Sequence, residues 1–158
     1  MIDIVDKLVR SRMMAANKAK NTKPELLLRR FLHGKGFRYR IHVRSLPGSP
    51  DLVLAKYNLV IFVHGCFWHQ HVGCRFATTP DERREQWQAK FAGTLARDAQ
   101  HITALRQGGW RVFLIWECGL TKGQAGQSLE WLPEAVRDAS LDFISWPEPA
   151  VGLSKRST

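Results

Sequence analysis

The hydrophobic pattern of this chain is organised by two apolar runs. Leu59 to Val63 has no polar face, the mark of a strand central in a sheet and covered on both sides by helices. Trp110 to Glu117 reads as a second buried strand, entered from the Gly108-Gly109 pair. Asp51 to Ala55 predicts a third short strand, joined to the first run by a tight turn around Lys56-Tyr57-Asn58. Phe37 to Val43 alternates, with Arg38, Arg40 and His42 on one face and Tyr39 and Ile41 on the other, and predicts a half-exposed strand.

Helical periodicity fills the intervals. Thr22-Lys23-Pro24-Glu25 fits a capping box, with Thr22 as N-cap and Glu25 placed to reach back to it. The helix that follows presents Leu27, Leu28, Phe31 and Leu32 on one face and stops at Gly34 and Gly36. Thr79-Pro80-Asp81-Glu82 repeats the capping logic and opens a long helix to Gln107, with an inward stripe of Trp87, Phe91, Leu95, Ala99, Ile102 and Leu105. Gly93 is a place for that helix to break or bend. Past Thr121 the pattern weakens, leaving a short helix over Leu129 to Val136. The chain divides into a basic arm (1–21), a core (22–120) and a partly helical C-terminal extension (121–158). An α/β fold around a mixed sheet is the expected architecture.

At 158 residues the chain suits a single domain with a real core. Its charge is the departure from the ordinary: 24 Lys and Arg against 14 Asp and Glu leave a net charge of +10. Such a field attracts polyanions and makes affinity fall steeply with salt, which points to nucleic acid. The arm carries Lys7, Arg10, Arg12, Lys18 and Lys20 against Asp3 and Asp6, so it suits ordering on a phosphate backbone as well as a solvated terminus. No apolar run reaches about 18 residues, and no signal-peptide or lipidation pattern is present, so a cytoplasmic protein with no membrane partner is expected.

The chemistry concentrates in His64-Gly65-Cys66-Phe67-Trp68-His69-Gln70-His71-Val72-Gly73-Cys74. Two thiols, several imidazoles and adjacent aromatics suit a zinc-stiffened loop that works on, or wedges into, a nucleic acid. The spacing of Cys66, His71 and Cys74 lets one loop wrap three ligands around a tetrahedral ion, with His69 and Gln70 as alternatives to His71. Cys118 is the remaining cysteine of the chain and follows a buried strand, so it supplies the fourth ligand if the two buried strands run parallel. Three thiolates and one imidazole close the coordination shell and make the zinc structural.

Asp51, a carboxylate at a strand start after Pro50, resembles the metal-binding acid of nucleases that hydrolyse phosphodiesters with divalent ions. That chemistry needs positive charge on the phosphate, a base for water and help for the leaving oxygen. Asp51, His69 and His64 can supply those roles.

Three stretches then carry a family resemblance: Leu46-Pro47-Gly48-Ser49-Pro50-Asp51, Val60-Ile61-Phe62-Val63-His64-Gly65-Cys66-Phe67-Trp68-His69, and Gly109-Trp110-Arg111-Val112 with Trp116-Glu117-Cys118. In order and spacing, from Asp6 to Leu120, the sequence resembles the very short patch repair (Vsr) DNA mismatch endonucleases. The resemblance implies a restriction-endonuclease-like three-layer fold, a mixed sheet flanked by helices, with a structural zinc. It implies a magnesium-dependent enzyme that nicks on the 5′ side of the T in a T:G mismatch and so starts repair of deaminated 5-methylcytosine. Asp51 then becomes the Mg2+ ligand, with the Val63 backbone carbonyl as a second contact. Family members can have threonine at that position, but a main-chain oxygen survives the change.

By the same resemblance His69 is the general base, and His64 is a phosphate or leaving-group partner oriented by Asp98. Glu25 matches an auxiliary acid, a match its helix-capping role explains equally well. Phe67, Trp68 and Trp87 resemble an aromatic wedge, although Trp87 also has the spacing to pack on Phe91, and Met14 in the arm approaches from the opposite groove. The implied partner is double-stranded DNA with a T:G mismatch, with a functional link to a cytosine-5 methyltransferase and to mismatch-repair proteins. A monomer is expected, bacterial in type and nucleoid-associated when on DNA. His33, His42 and His101 match no role and read as surface or half-buried structural histidines. Two alternatives stand beside the enzyme reading: a non-catalytic zinc-stabilised DNA-binding module, and a related nuclease indifferent to mismatches.

Overall fold

The computed structural model describes residues 21–120 and 129–148, so the arm with Met14 and the rest of the extension lie outside the described residues. In chain order the elements are α1 (Lys23–Gly34), β1 (Arg40–Ile41), β2 (Leu52–Leu54), β3 (Leu59–His64), α2 (Arg84–Gln107), β4 (Arg111–Trp116), α3 (Leu132–Arg137) and β5 (Phe143–Trp146). The strands form one sheet in that same order. β2 is antiparallel to both of its neighbours, β1 and β3, whereas β3, β4 and β5 run parallel.

Two buried faces follow from the period-2 alternation of strand side chains. Leu59 and Ile61 of β3 and Phe113 and Ile115 of β4 point to one side, where Leu28 and Leu32 of α1 and Leu132 and Val136 of α3 cover them. Val60 and Phe62, with Val112, Leu114 and Trp116, point to the other side, toward Leu105 of α2. Side chains such as Leu28, Leu59 and Phe113 are fully buried, and each contributes about 1.5–3 kcal/mol relative to an exposed position. The mixed α/β sheet flanked by helices is the expected architecture. A parallel β3–β4 pair needs a long crossover, which α2 provides. Both strands then end at one edge of the sheet, where α/β proteins place their ligands.

Several boundaries differ from the pattern. The strand expected over Phe37 to Val43 shrinks to Arg40–Ile41, because His42 adopts φ +48° and leaves the ladder. Thr22 caps α1 as expected, its Oγ1 accepting from the Glu25 N–H at 3.4 Å. The Glu25 carboxylate does not reach back to complete the box; it turns to Arg29 and His42. α2 begins at Arg84 rather than beside Thr79: Arg83 sits at φ +55° without a capping side chain, and Asp81 pairs with Arg84 instead. Gly93 does not interrupt it.

The α2 stripe is also rotated. Leu95 is 46% exposed and Ala99 is exposed, while Thr94, Asp98 and His101 face inward. Hydrophobic spacing pointed away from that face because the face is polar.

The segment 129–148 is built into the core rather than appended to it. Leu129, Leu132 and Val136 are fully buried and β5 extends the sheet, a strand the weak tail pattern did not show. Arg111 makes the join. Its guanidinium donates to the carbonyls of Leu141, Tyr57, Val136, Ala135 and Asp138 at 2.7–3.1 Å, satisfying every donor it has. Three of those carbonyls belong to the end of α3, where orphan acceptors and the negative end of the dipole favour a cation. At the far end of β5, a Cβ on Gly119 would lie 2.5 Å from the Trp146 ring, so glycine alone admits that close approach.

Candidate functional site

The β3–β4 register explains the cysteine cluster. His64 pairs with Trp116 across the parallel ladder, so two residues further along each chain Cys66 and Cys118 meet. Tight turns bring the loop back, with the His71 N–H bonded to Cys66 O at 3.0 Å and the Cys74 N–H to His71 O at 3.2 Å. The donor atoms of Cys66, His71, Cys74 and Cys118 all lie within 4.8 Å of one another. His71 Nδ1 is 3.7 Å from Cys66 Sγ and 3.6 Å from Cys118 Sγ. A tetrahedral zinc with bonds of about 2.3 Å to sulfur and about 2.05 Å to nitrogen requires N···S edges of about 3.6 Å, so the residues fit the ion.

The surroundings suit the same purpose. Burial pushes the Cys66 and Cys118 thiols up, a cost that ligation as thiolates removes. His71 Nε2 donates to Pro147 O at 3.0 Å, fixing the tautomer that aims Nδ1 at the sulfurs. Trp116 stacks on the ring at 4.2 Å and 7°. Burial lowers the His71 pKa, so the imidazole is held neutral, as a ligand must be.

On the cleft side of the same strand ends lies a cavity of about 850 Å3, lined in part by Glu25, Asp51, His64, Trp68, His69 and Asp98. Asp51 enters it from the start of β2. The Val63 N–H donates to Asp51 Oδ2 at 2.7 Å, but burial outweighs that bond and pushes the carboxyl up to about 6. Such a carboxylate is costly to ionise alone and is stabilised by a nearby cation. Glu25 and His42 complete a three-donor cluster with Asp51, again within 4.8 Å.

Next to it, His64 and His69 stack face to face at 3.8 Å and 6°. His69 Nδ1 donates to Asp98 Oδ2 at 2.6 Å, and in that tautomer Nε2 is an acceptor. Burial pushes Asp98 upward, but the hydrogen bond from His69 and the neighbouring imidazoles outweigh it and hold the acid below its ordinary range. Asp98 thus stands behind His69, whereas the resemblance set it behind His64. His64 is 6% exposed, its Nδ1 is buried without a partner, and burial, assisted by His69, lowers its pKa to about 3. It is a neutral imidazole beside the pair.

The aromatics form a shelf at the rim. Phe67 meets Trp68, Trp87 and Phe91 edge-on at 5.1, 5.5 and 5.2 Å. Trp87 contacts Phe91 as well, at 5.6 Å, the packing that its spacing allows. Lys90 Nζ stands 5.3 Å above the Trp68 ring.

Of the residues singled out from the sequence, Asp51, Glu25, His64, His69 and Asp98 line one cleft, and Val63 borders it. Cys66, His71, Cys74 and Cys118 form their own cluster, and Gln70 is excluded from it because its amide donates to Phe67 O at 2.6 Å. His69, the other alternative, is turned to Asp98. Two site residues escaped sequence reading. His42 alternates with exposed arginines and gives no signal. Glu117 lies between a strand and a cysteine inside a quoted stretch; it lines the cleft, and burial raises its pKa against a hydrogen bond from the Cys66 backbone.

Comparison with known proteins adds an independent line. A family described as DNA mismatch endonuclease Vsr matches residues 2–75. The type II nicking enzyme V.XorIIP of Xanthomonas oryzae pv. oryzae is 45% identical over 109 residues, covering 69% of this chain and 79% of its own. The DNA mismatch endonuclease Vsr of Escherichia coli K12 is 40% identical over 138 residues, 87% of each chain. The type II nicking enzyme V.NmeAIP of Neisseria meningitidis serogroup A is 39% identical over 140 residues, 88% of this chain and 99% of its own.

Proposed function

Since the chain belongs to the Vsr DNA mismatch endonuclease family, we propose that it nicks DNA strand-specifically on the 5′ side of the T in T:G mismatches, with Mg2+, to start repair of deaminated 5-methylcytosine. The observation that carries this reading is the juxtaposition, in one cleft, of a desolvated Asp51 and a His69–Asp98 pair. In the same reading the fold is restriction-endonuclease-like, the Cys66, His71, Cys74 and Cys118 cluster holds a structural Zn2+, and residues 1–21 form a DNA-binding arm with Met14.

Asp51 and the Val63 carbonyl would hold the magnesium, with Glu25 as an auxiliary acid. A divalent cation there supplies positive charge to offset what builds on the phosphate during hydrolysis. The protein's own groups do the rest. His69 Nε2 accepts the proton of the attacking water, and Asp98 stabilises the imidazolium that results. His64, neutral and fixed by stacking, donates a hydrogen bond to the phosphate or the leaving oxygen. The Phe67, Trp68 and Trp87 shelf enters the stack beside the mismatch, where a wobble pair lowers the unstacking cost of a few kcal/mol.

The substrate is double-stranded DNA, and the net charge of +10 supports phosphate contacts along it. Action as a cytoplasmic, nucleoid-associated monomer linked to a cytosine-5 methyltransferase and to mismatch-repair proteins belongs to the same proposal. Among the described residues, no helix is long and apolar enough to cross a membrane.

The test is a labelled duplex carrying one T:G pair, incubated with the protein and magnesium. A single cut in the thymine strand with an intact T:A control is the expected result. Binding without cutting would leave a non-catalytic DNA-binding module, and equal cutting of T:A would leave a nuclease indifferent to mismatches.

A further inference from the structure

His42 has no task in the mechanism above, yet the fold goes to some expense to aim it. Its φ of +48° lies in the left-handed region, which costs a residue with a Cβ about 1–2 kcal/mol. The backbone around it remains tied down, since the His42 N–H donates to Asp51 O at 3.2 Å. The turn out of β1 sends the ring inward, where Nε2 stands 2.7 Å from Glu25 Oε2. The His42 side chain is 13% exposed and that of Glu25 only 5%. One donor atom each from Glu25, His42 and Asp51 lies within 4.8 Å of the others.

We propose that His42 is a direct ligand of the cation at Asp51 and that its imidazole shifts the site's preference from Mg2+ toward Mn2+. The proposal rests on the metal-dependent reading of this cleft and refines which ion it takes. Magnesium is hard, favours oxygen and keeps several of its waters. An imidazole in the inner shell favours first-row transition ions, and Mn2+ is the one among them that also tolerates carboxylates best. In an octahedral site with bonds of about 2.2 Å, neighbouring donors lie about 3.1 Å apart and opposite ones about 4.4 Å. The 2.7 Å His42–Glu25 contact is near the shorter of those edges, and a donor of Asp51 lies within 4.8 Å of both.

A rival account is on the same page. Arg29 donates to the same Glu25 oxygen and lies 3.4 Å from His42 Nε2, so His42 has the position to act only as a second partner for a buried acid. The two accounts differ in what Nε2 offers. A ligand gives its lone pair to the ion, whereas an ion-pair partner offers its proton.

The experiment uses the full chain with its zinc in place. Mn2+ and Mg2+ are titrated separately by calorimetry into wild type and His42→Gln, and pulsed electron paramagnetic resonance on bound Mn2+ reads nitrogen hyperfine coupling. Wild type should bind Mn2+ at least about tenfold tighter than Mg2+, and His42→Gln should weaken Mn2+ about tenfold while moving Mg2+ less than about threefold. The nitrogen coupling should be present in wild type and absent from the variant. Equal losses for both ions, no coupling in wild type, or coupling that persists in the variant would overturn the assignment. Should His42→Gln fail to fold, the wild-type spectrum and the wild-type affinity ratio still decide. Nicking of the T:G duplex is scored in parallel: nitrogen-coordinated Mn2+ in a protein that does not cut sinks the enzyme reading alone, and cutting without nitrogen coupling sinks this one alone.

Discussion

The cysteine cluster and the acid–imidazole cleft grow from the same two strand ends, and they differ in how completely their polar groups are satisfied. In the cluster four donors converge, the outer nitrogen of His71 has the Pro147 carbonyl, and Trp116 covers the ring. In the cleft Asp51 is pushed up to about 6 and His64 down to about 3, with the His64 Nδ1 buried and unpaired. A site that exists to hold the chain together can close its shell. On the reading proposed above, a site that receives a phosphate keeps groups in reserve for it. The arrangement is economical: the same loop that zinc would stiffen also delivers His69 and the Phe67 and Trp68 rings of the shelf.

If the two regions are separate in function, substitutions should separate them. The largest effect belongs to Asp51→Ala, which should reduce single-turnover nicking of a T:G duplex on the order of 10³-fold or more, about 4 kcal/mol of transition-state stabilisation. Zinc content and duplex binding should be unchanged; loss of zinc in that variant would mean the two sites are not independent. Cys118→Ser should act in the opposite sense. Zinc per chain should fall when measured by metal analysis, and stability should drop by roughly 3 kcal/mol, about 10 °C in Tm for a chain of this size. An unchanged Tm would show that the cluster does not support the fold.

The contrast also explains what could be read in advance. The cluster is local: Cys66, His71 and Cys74 fit in one loop, and Cys118 needs only the parallel pairing of two strands whose apolar runs are unmistakable. The cleft draws on α1, the end of β1, the start of β2, the end of β3 and the middle of α2, and no spacing rule links those places. Asp98, reached only through the family resemblance, and its neighbour His101 gave no signal in the spacing, for a further reason. They sit on the inward face of α2, which is polar because it lines the cleft, so the hydrophobic stripe drawn through Leu95 and Ala99 faced water. His42 was lost to a single left-handed residue that ended an otherwise regular alternation. The tail looked weak for yet another reason: β5 is a short edge strand paired to β4, and Arg111 at the start of β4 holds the chain that leads into it, at Leu141.

Asp98→Asn probes the cleft without touching an ion. The asparagine amide can present its N–H to His69 Nδ1, which would turn the ring to the tautomer with its proton on Nε2 and remove the acceptor that faces the cleft. Nicking should fall about 10²-fold, with zinc content and Tm little changed. A variant that nicks normally would show that the 2.6 Å His69–Asp98 bond serves packing rather than proton transfer.

The smallest effect is expected at the rim, where the two regions merge. Trp68 is rooted in the loop that the cysteine cluster closes, yet its ring faces the cleft, edge-on to Phe67 at 5.1 Å and beneath Lys90 Nζ. Replacing it with alanine removes one stacking surface and leaves Phe67 and Trp87 in place. Stacking on an aromatic ring contributes about 1–3 kcal/mol per base, so the preference for T:G over T:A should fall roughly tenfold when cleavage rates on the two duplexes are compared. Binding to fully paired DNA, held by phosphate contacts, should change less than about threefold, since phosphate contacts position the duplex without reading it. Equal losses on both duplexes would make the shelf a support for the loop, and would place Trp68 with the cysteine cluster rather than with the cleft.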